Sequence, residues 1–218
     1  ACRTYREPSR SRGGTRGLEN DKGHQGRHRC HFRHALREGC GLLSHVPTSE
    51  RVLRRVISAF DRPIIQNNLR GFYIEYMVAE LLAPNWHHCG DDWASWDLVS
   101  ETGTRLEIKQ SAAVQSWAAP DTPARSPRFS IARKNGHFEG AKWNALSGRP
   151  ADVYCFAWHQ RTDALADQRD PAQWEFYVIP SDALPEQKSI SLKTVRAIGV
   201  CADSDNLHLC LSTYITVC

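Results

Sequence analysis

Apolar residues recur at helical spacing in two consecutive segments of the chain. The first, TSERVLRRVISAF, starts at a capping residue, Thr48 or Ser49. The second, NNLRGFYIEYMVAELLAP, starts at Asn67 or Asn68 and ends at Pro84. The apolar positions of the first segment are Val52, Leu53, Val56, Ile57 and Phe60, and those of the second are Ile74, Met77, Val78, Leu81 and Leu82. Two amphipathic helices are therefore predicted.

Shorter runs of strand-forming residues follow these helices. They are WDLVS, RLEIK, RFSIAR, DVYCFAWH and WEFYVIP. Between the second and third run, SAAVQSWAAPDTPARSP is predicted to begin as a helix and to end as a Pro-rich loop. Near the end of the sequence, SLKTVRAIG predicts a helix from Ser191 to Gly199, and LHLCLSTYITV predicts a further strand. This order of elements favours an α/β fold with a mixed β-sheet flanked by helices.

The first 45 residues differ in composition from the rest of the chain. Residues 1–40 contain ten Lys and Arg against four Asp and Glu, whereas the remainder contains 18 against 20. Apolar periodicity is also missing there, so we expect residues 1–45 to be a disordered basic leader and residues 46–218 to be the folded domain. The leader is either a passive tail or an arm that attracts phosphates, and the sequence leaves both interpretations open.

The composition indicates in which cellular compartment the protein is expected. No apolar run approaches the ~20 residues that a membrane-spanning helix needs, and the first residues lack the apolar core of a signal peptide. The eight cysteines are scattered without a CxxC pair, which favours free thiols over a disulfide framework. We therefore expect a soluble, cytoplasmic protein.

The segment WDLVSETGTRLEIKQ predicts a β-hairpin with carboxylates on one face. Residues 101–103 fit a three-residue connection in which Gly103 adopts the left-handed conformation. This connection pairs Leu98 with Leu106 and Asp97 with Glu107. Side-chain alternation then places Trp96, Leu98, Leu106 and Ile108 on one face, and Asp97, Glu107 and Lys109 on the other.

Two carboxylates at opposite positions of a hairpin point to a cation. Directly opposed Cβ atoms lie roughly 4.5–5.5 Å apart, and carboxylates this close repel each other unless a positive charge joins them. Mg²⁺ prefers a few carboxylates plus water. Lys109 would then orient or deprotonate a water, or stabilise charge that builds up on a phosphate. A solvent-exposed face that carries ordinary charges is the competing interpretation.

The hairpin resembles the active-site motif of the PD-(D/E)xK nuclease superfamily, which has the restriction endonuclease-like fold. Asp97 stands at the position of the motif's Asp, and EIK at 107–109 matches its E-x-K, whereas Trp96 replaces its proline. The resemblance covers roughly residues 65–195 and favours a bacterial branch. It implies a Mg²⁺- or Mn²⁺-dependent endonuclease that acts on DNA in restriction, repair or phage biology. In that role Asp97 and Glu107 bind the metal, and Lys109 assists the attacking water.

The same resemblance implies further site residues. The family's first helix often supplies an acid, for which we favour Glu75 over Glu80 because small residues lie one turn away on the side of Glu75. The helix after E-x-K often supplies a polar residue, and Gln115 fits this position. Many relatives act as homodimers. The neighbouring histidines of NWHHCGDDW are assigned no role, because adjacent side chains in a loop point in different directions.

Basic residues after the hairpin suggest a nucleic-acid groove. Arg133, Lys134 and Lys142 lie close to aromatic residues, a mixture that suits contacts with a nucleic-acid strand, although a solvated loop is an equal interpretation. One alternative function is a catalytically inactive nucleic-acid-binding module of the same fold, and another is a partner-binding subunit. Binding of a divalent metal separates the nuclease from both alternatives.

Overall fold

A computed structural model describes residues 47–89, 94–118, 126–139 and 142–215, so the predicted leader lies outside the described residues. The α/β class is confirmed, because a mixed β-sheet has helices packed against it. The helices are α1 (Ser49–Ser58), α2 (Asn67–Leu81), α3 (Leu192–Ile198) and α4 (Leu207–Ser212). The strands are β1 (Trp86–His88), β2 (Leu98–Ser100), β3 (Arg105–Ala112), β4 (Arg128–Ser130), β5 (Lys134–Glu139), β6 (Lys142–Gly148), β7 (Val153–His159), β8 (Trp174–Pro180), β9 (Ser189–Ser191) and β10 (Val200–Ala202). Two 3₁₀ helices span Pro171–Gln173 and Ser181–Ala183.

The main sheet contains six strands in the order β1-β2-β3-β7-β8-β10. Strands β3 and β7 are parallel, and every other neighbouring pair in this sheet is antiparallel. Two antiparallel ribbons lie outside the sheet, one formed by β4 and β9 and one by β5 and β6. The hairpin strands β2 and β3 are thus held between β1 and the central strand β7.

Strand β7 explains why the sheet is covered on both faces. All seven of its residues are buried, so both sets of alternating side chains need apolar neighbours. Val153, Cys155 and Ala157 pack with residues of α2 and α4 on one face. The side chains between them, such as Phe156, pack with residues of α3 and the β4–β9 ribbon on the other.

The register predicted for the hairpin is confirmed. Leu98 pairs with Leu106, and Ser100 N donates to the Thr104 carbonyl at 2.9 Å. Gly103 has φ +87°, the left-handed conformation that the three-residue connection requires. The sequence of the turn therefore sets which residues face each other across β2 and β3.

The predicted position of Trp96 is wrong. The structure has a bend at residues 95–97, and the Trp96 ring packs against the core face that contains Phe156, opposite to Leu98, Leu106 and Ile108. The Arg105 guanidinium lies over this ring, 5.2 Å from its centroid. Strand alternation fails here because β2 begins only at Leu98.

Two predicted elements have a different secondary structure. The segment after E-x-K continues as strand to Ala112, because β3 pairs with β7 along that strand's whole length, and residues 113–118 form bends and turns in place of a helix. The run LHLCLSTYITV contains helix α4, with Leu207 and Leu211 buried one turn apart. In so short an apolar run, alternation and helical spacing fit the sequence equally well.

Helix α1 forms as predicted, but its apolar side is not covered. Thr48 caps it by accepting a hydrogen bond from Arg51 N at 3.3 Å. None of the ten helical residues is buried. The side chains of the predicted apolar stripe that lie within the helix are each more than half exposed: Val52, Leu53, Val56 and Ile57.

The four cysteines in the described part of the chain are free thiols, as expected from their scatter: Cys89, Cys155, Cys201 and Cys210. Across the same described ranges, every helix is too short or too polar to cross a lipid bilayer.

The left-handed turn residue generates a stability prediction. Gly103→Ala should lower the free energy of unfolding by about 1–2 kcal/mol, because an alanine Cβ is strained at positive φ. Apart from the two adjacent residues of the chain, no described residue has a heavy atom within 4 Å of the position of this Cβ, so the loss comes from the backbone conformation. Gly103→Asn should lose less, since Asn tolerates this conformation. Urea unfolding measures both variants, and an Ala variant with an unchanged midpoint would contradict the turn geometry.

Candidate active site

Asp97 lies where the pairing between β2 and β3 ends. Its main chain is held from both sides, because Asp97 N donates to the Leu106 carbonyl and Cys89 N donates to the Asp97 carbonyl, each at 2.9 Å. Its side chain turns toward β3, where Oδ2 accepts a hydrogen bond from Ile108 N at 2.6 Å. The carboxylate thus occupies the place of a strand-pairing partner and is fixed beside the E-x-K residues.

Glu107 and Lys109 lie on one face of β3, as the alternation predicts. The Lys109 ammonium donates to Glu107 Oε1 and forms an ion pair with it. The Glu107 side chain is almost fully buried, whereas the Lys109 side chain keeps about a quarter of its surface exposed. The Lys109 side chain is therefore partly accessible to solvent, whereas the Glu107 carboxylate is buried.

Glu75 reaches this site from helix α2. It acts on the titration of Asp97, and its Oε2 lies 3.3 Å from Nε2 of His88 on β1. Glu80 is solvent-exposed and, together with Tyr76 and Arg169, lines an apolar cavity of about 300 Å³. Of the two helix acids considered in the sequence, the structure brings Glu75 toward Asp97.

The electrostatics of the cluster centre on Asp97. Burial, followed by the negative charges of Glu107 and Glu75, raises the pKa of Asp97 to about 7. The hydrogen bond from Ile108 N and the positive charge of Lys109 act in the opposite direction. Three carboxylates against one ammonium leave the site short of positive charge at neutral pH.

Tyr154 adds a hydroxyl beside these acids. It occupies the position on β7 that pairs with Glu107 on β3. Burial, followed by the charge of Glu107, raises the pKa of Tyr154 to about 12. The phenol therefore stays protonated at neutral pH.

Gln115 lies in a segment that is not the helix predicted after E-x-K. It lies outside any helix, its Oε1 accepts from Arg70 Nη2 at 3.0 Å, and its Nε2 donates to the Ala112 carbonyl at 2.6 Å. Arg70 is fully buried, and burial lowers its pKa to about 10, so it stays charged at neutral pH. The other amide oxygens that accept from Arg70 belong to Asn67, Gln110 and Gln168. Gln115 thus belongs to this amide cage around Arg70.

The predicted basic residues make different contacts in the structure. Lys134 Nζ donates to the Ser95 carbonyl at 3.2 Å, so strand β5 contacts the segment that leads into Asp97. Arg133 forms an ion pair with Glu186 at 3.1 Å, and Lys142 is exposed on β6. Of these three, Lys134 has a hydrogen bond to the segment that precedes Asp97.

The donor atoms of the site fit a hard divalent cation. Asp97 and Glu107 supply carboxylate oxygens, and the raised pKa of Asp97 shows that another positive charge nearby would relieve repulsion. Within the described ranges, no three His, Cys, Asp or Glu side chains form a metal-binding group by themselves. Mg²⁺ is commonly held by one or two carboxylates, with water or phosphate in the remaining positions, so two protein ligands suffice.

Sequence reasoning missed two residues of this cluster, His88 and Tyr154. His88 belongs to the three-residue strand β1, which is too short to produce a recognisable pattern. Side-chain alternation along DVYCFAWH predicts that Tyr154 points to the opposite face from Val153 and Cys155. Only the parallel pairing of β7 with β3 places Tyr154 beside Glu107. Both residues enter the site through strand order, which no local sequence signal contains.

Comparison with known proteins adds little to this geometry. No protein-family model matches the chain, and no curated protein matches it. Among solved structures, it is similar to a bacterial homing endonuclease at 17% sequence identity, with 68% of this chain and 95% of that chain covered and a TM-score of 0.38. A TM-score this low supports no conclusion about fold or activity, so the functional argument rests on the residues described above.

The raised pKa of Asp97 generates a prediction about stability and pH. Since the folded protein holds this proton up to about pH 7 and the unfolded chain releases it near pH 4, stability should fall as pH rises between these values. Asp97→Asn removes this dependence while keeping an oxygen for Ile108 N. In metal-free buffer at pH 8 it should be more stable than the unmodified chain by a few kcal/mol, at about 1.4 kcal/mol per pKa unit.

Asp152 provides a control of opposite sign. Burial by itself would raise the pKa of Asp152, but hydrogen bonds from the side chain and main chain of Arg105 outweigh it and leave the pKa below its usual value. Asp152→Asn should therefore destabilise the protein at pH 8. Thermal unfolding of both variants from pH 4 to 8 measures the two slopes, and an Asp97→Asn variant that parallels the unmodified chain would contradict the electrostatic argument.

Proposed function

We propose that the protein is a metal-dependent nuclease that hydrolyses phosphodiester bonds in DNA, with Mg²⁺ or Mn²⁺ as cofactor. The observation that carries the proposal is the meeting of Asp97 and Glu107 beside Lys109, in surroundings that raise the pKa of Asp97 to about 7. Such a site gains stability from a divalent cation, and it has a lysine next to the position where a phosphate would bind.

Asp97 and Glu107 are the proposed metal ligands. When bound, the ion would supply a Lewis acid for the phosphate and lower the pKa of a water molecule. The hydrogen bond from Ile108 N holds one oxygen of Asp97, and the ammonium of Lys109 holds one oxygen of Glu107. These contacts orient both carboxylates before any ion arrives, which reduces the entropy lost on binding.

Lys109 is the proposed electrostatic catalyst. Its ammonium is partly exposed and held beside Glu107, so it can contact a phosphate oxygen without leaving the cluster. Negative charge accumulates on the phosphate as the attacking oxygen approaches, and a fixed cation at this point lowers the barrier. The same ammonium can orient the attacking water.

Glu75 and Gln115 are proposed to support this chemistry in different ways. Glu75, positioned by His88, can accept a hydrogen bond or a proton from the attacking water. Gln115 acts at a distance by bonding Arg70, which also bonds Gln110, the residue after Lys109. In this proposal Gln115 is a positioning residue of the E-x-K strand.

DNA is proposed as the substrate because the hairpin resembles a DNA nuclease motif. The ribbon of β5 and β6, with Arg133 just before it, is proposed to contact the DNA. Lys134 lies next to the segment that precedes Asp97, and Lys142 is exposed on the paired strand. Arg133 is already paired with Glu186 and would exchange that partner for a phosphate. Removing these cations should weaken binding at all sequences alike, because phosphate contacts carry no base information.

Cleavage assays test the proposal directly. The purified full chain should cut supercoiled plasmid or single-stranded DNA with Mg²⁺ or Mn²⁺ and not with EDTA. Lys109→Ala should lose on the order of a hundredfold or more in rate, as expected for removal of one group that stabilises transition-state charge. Lys193→Ala, on the exposed surface of α3, is the matched control and should cut at the unmodified rate.

Two outcomes would contradict this assignment. Cutting that survives Lys109→Ala would place the activity elsewhere or in a contaminant. DNA binding without cutting, with any metal, would favour a catalytically inactive nucleic-acid-binding module.

Metal binding can be tested without turnover. At pH 8, saturating Mg²⁺ or Mn²⁺ should raise the melting temperature of the unmodified chain, since a ligand at 100 times its Kd adds about 2.7 kcal/mol of stability. That corresponds to a shift of roughly 5–10 °C for a protein of this size. Asp97→Asn should remove the shift and Asp152→Asn should keep it. An equal shift in both variants would mean that the ion binds outside the proposed site.

A further inference from the structure

An exposed aromatic surface adjoins the carboxylate cluster. It consists of Phe72 and Tyr76 on α2 and His88 on β1, and we call these three rings the aromatic surface. The Tyr76 and His88 rings are stacked, with centroids 4.4 Å apart and planes 17° apart. Phe72 meets Tyr76 edge-on, with centroids 4.9 Å apart. Three rings thus form a contiguous group on the outside of the domain.

The aromatic surface directly contacts the proposed active site. His88 stacks on Tyr76 and also lies within hydrogen-bond distance of Glu75, 3.3 Å from ring nitrogen to carboxylate oxygen. Glu75 in turn is close enough to Asp97 to raise its pKa. On α2, Glu75 lies between Phe72 and Tyr76 in sequence, so one helical turn presents both the acid and the rings.

The rings are more exposed than a folding role requires. Phe72 is 50% exposed and Tyr76 is 46% exposed, although the other side of the same helix buries Ile74, Met77 and Val78. Aromatic rings that serve only the core bury most of their surface. Two half-exposed rings beside a charged cluster are therefore available to a ligand with an apolar, flat face.

Positive charge lies near Phe72, because Arg54 lines the same cavity as Phe60. Phe60 contacts Phe72, with centroids 6.5 Å apart, and follows helix α1 closely in the chain. That helix carries Arg51, Arg54 and Arg55 against a single acid, Glu50. The aromatic surface therefore adjoins the carboxylates through His88 and Glu75, and it adjoins a helix of net positive charge through Phe72 and Phe60. A nucleic-acid strand, which carries both bases and phosphates, suits such a surface.

We propose that the aromatic surface binds an unpaired base next to the phosphate held at the Asp97–Glu107 site, so that the substrate is a single strand or a frayed end. This inference rests on the proposed nuclease function. A base inside a duplex has both faces covered by its neighbours, whereas an unpaired base offers a π-face that stacks on aromatic side chains irrespective of sequence. The α1 arginines then meet the phosphates that follow.

A second copy of the chain is the competing occupant of this face. In a two-fold dimer formed through this face, both copies would place a helix of net positive charge in the interface. A polyanionic strand meets the same charges with the opposite sign. The charge pattern therefore favours nucleic acid over self-association.

Binding of short oligonucleotides tests the proposal in the Lys109→Ala background with Mg²⁺, by fluorescence anisotropy. A single strand should bind more tightly than a blunt duplex. Phe72→Leu and Tyr76→Leu keep an apolar side chain but lose the ring, and each should weaken single-strand binding on the order of tenfold while leaving duplex binding unchanged. Tyr76→Phe keeps the ring and should keep the affinity. A single strand with abasic sites has no base to stack on these rings. Its affinity for the chain with Phe72 and Tyr76 intact should therefore be as low as the affinity of an ordinary single strand for the Leu variants.

The outcomes separate this inference from the nuclease assignment. Leu variants that bind the single strand with unchanged affinity would overturn the base-stacking role and leave the nuclease proposal standing. Absence of binding to any nucleic acid would overturn both. If the Leu variants change only the oligomeric mass measured by light scattering, the face is an interface between copies and the proposal is wrong.

Discussion

The hydrogen bond from Ile108 N to the Asp97 carboxylate is the contact on which the rest of the site depends. It substitutes a side chain for a main-chain partner at the point where β2 and β3 stop pairing. This substitution draws an acid into the fold beside Glu107, and burial makes its charge costly. Trp96 then turns to the opposite core face, because the chain bends as it enters the hairpin. A local exchange of hydrogen-bond partners therefore brings Asp97 into the cluster with Glu107 and Lys109.

Arg70 provides the positive charge that joins helix α2 to the E-x-K strand. In the described part of the chain its hydrogen bonds go to side-chain amide oxygens, such as those of Gln110 and Gln115. Neutral amides satisfy the guanidinium without adding negative charge near three carboxylates that already repel one another. This arrangement fixes α2, which carries Glu75, against β3, which carries Glu107 and Lys109. The position of Glu75 relative to Glu107 therefore depends on the buried Arg70 as well as on apolar packing.

Helix α2 divides its surface among three tasks. One side packs on the sheet, the edge toward β1 presents Glu75 to His88, and the outer side exposes Phe72 and Tyr76. Because successive residues of a helix are about 100° apart, a single turn can serve core, site and surface at once. The helix backbone consequently fixes the mutual position of the acid and the rings, as the proposed binding of a phosphate beside a base requires.

The sequence by itself determined the hairpin and what it carries. A left-handed Gly103 and alternating apolar residues specify one register, and that register places Asp97 beside the E-x-K strand, because a slip by one residue would expose Leu98 and Leu106. The cap at Thr48 and the stop at Gly199 were likewise local signals, confirmed in α1 and α3.

Tertiary structure decided what lies around the hairpin. The parallel pairing of β3 with β7 extends the E-x-K strand where a helix was predicted and brings Tyr154 beside Glu107. The short strand β1 brings His88 to Glu75, and the buried Arg70 donates a hydrogen bond to Gln115. These contacts join residues far apart in the chain, and their free energy depends on strand order and burial. A local sequence pattern does not predict strand order or burial.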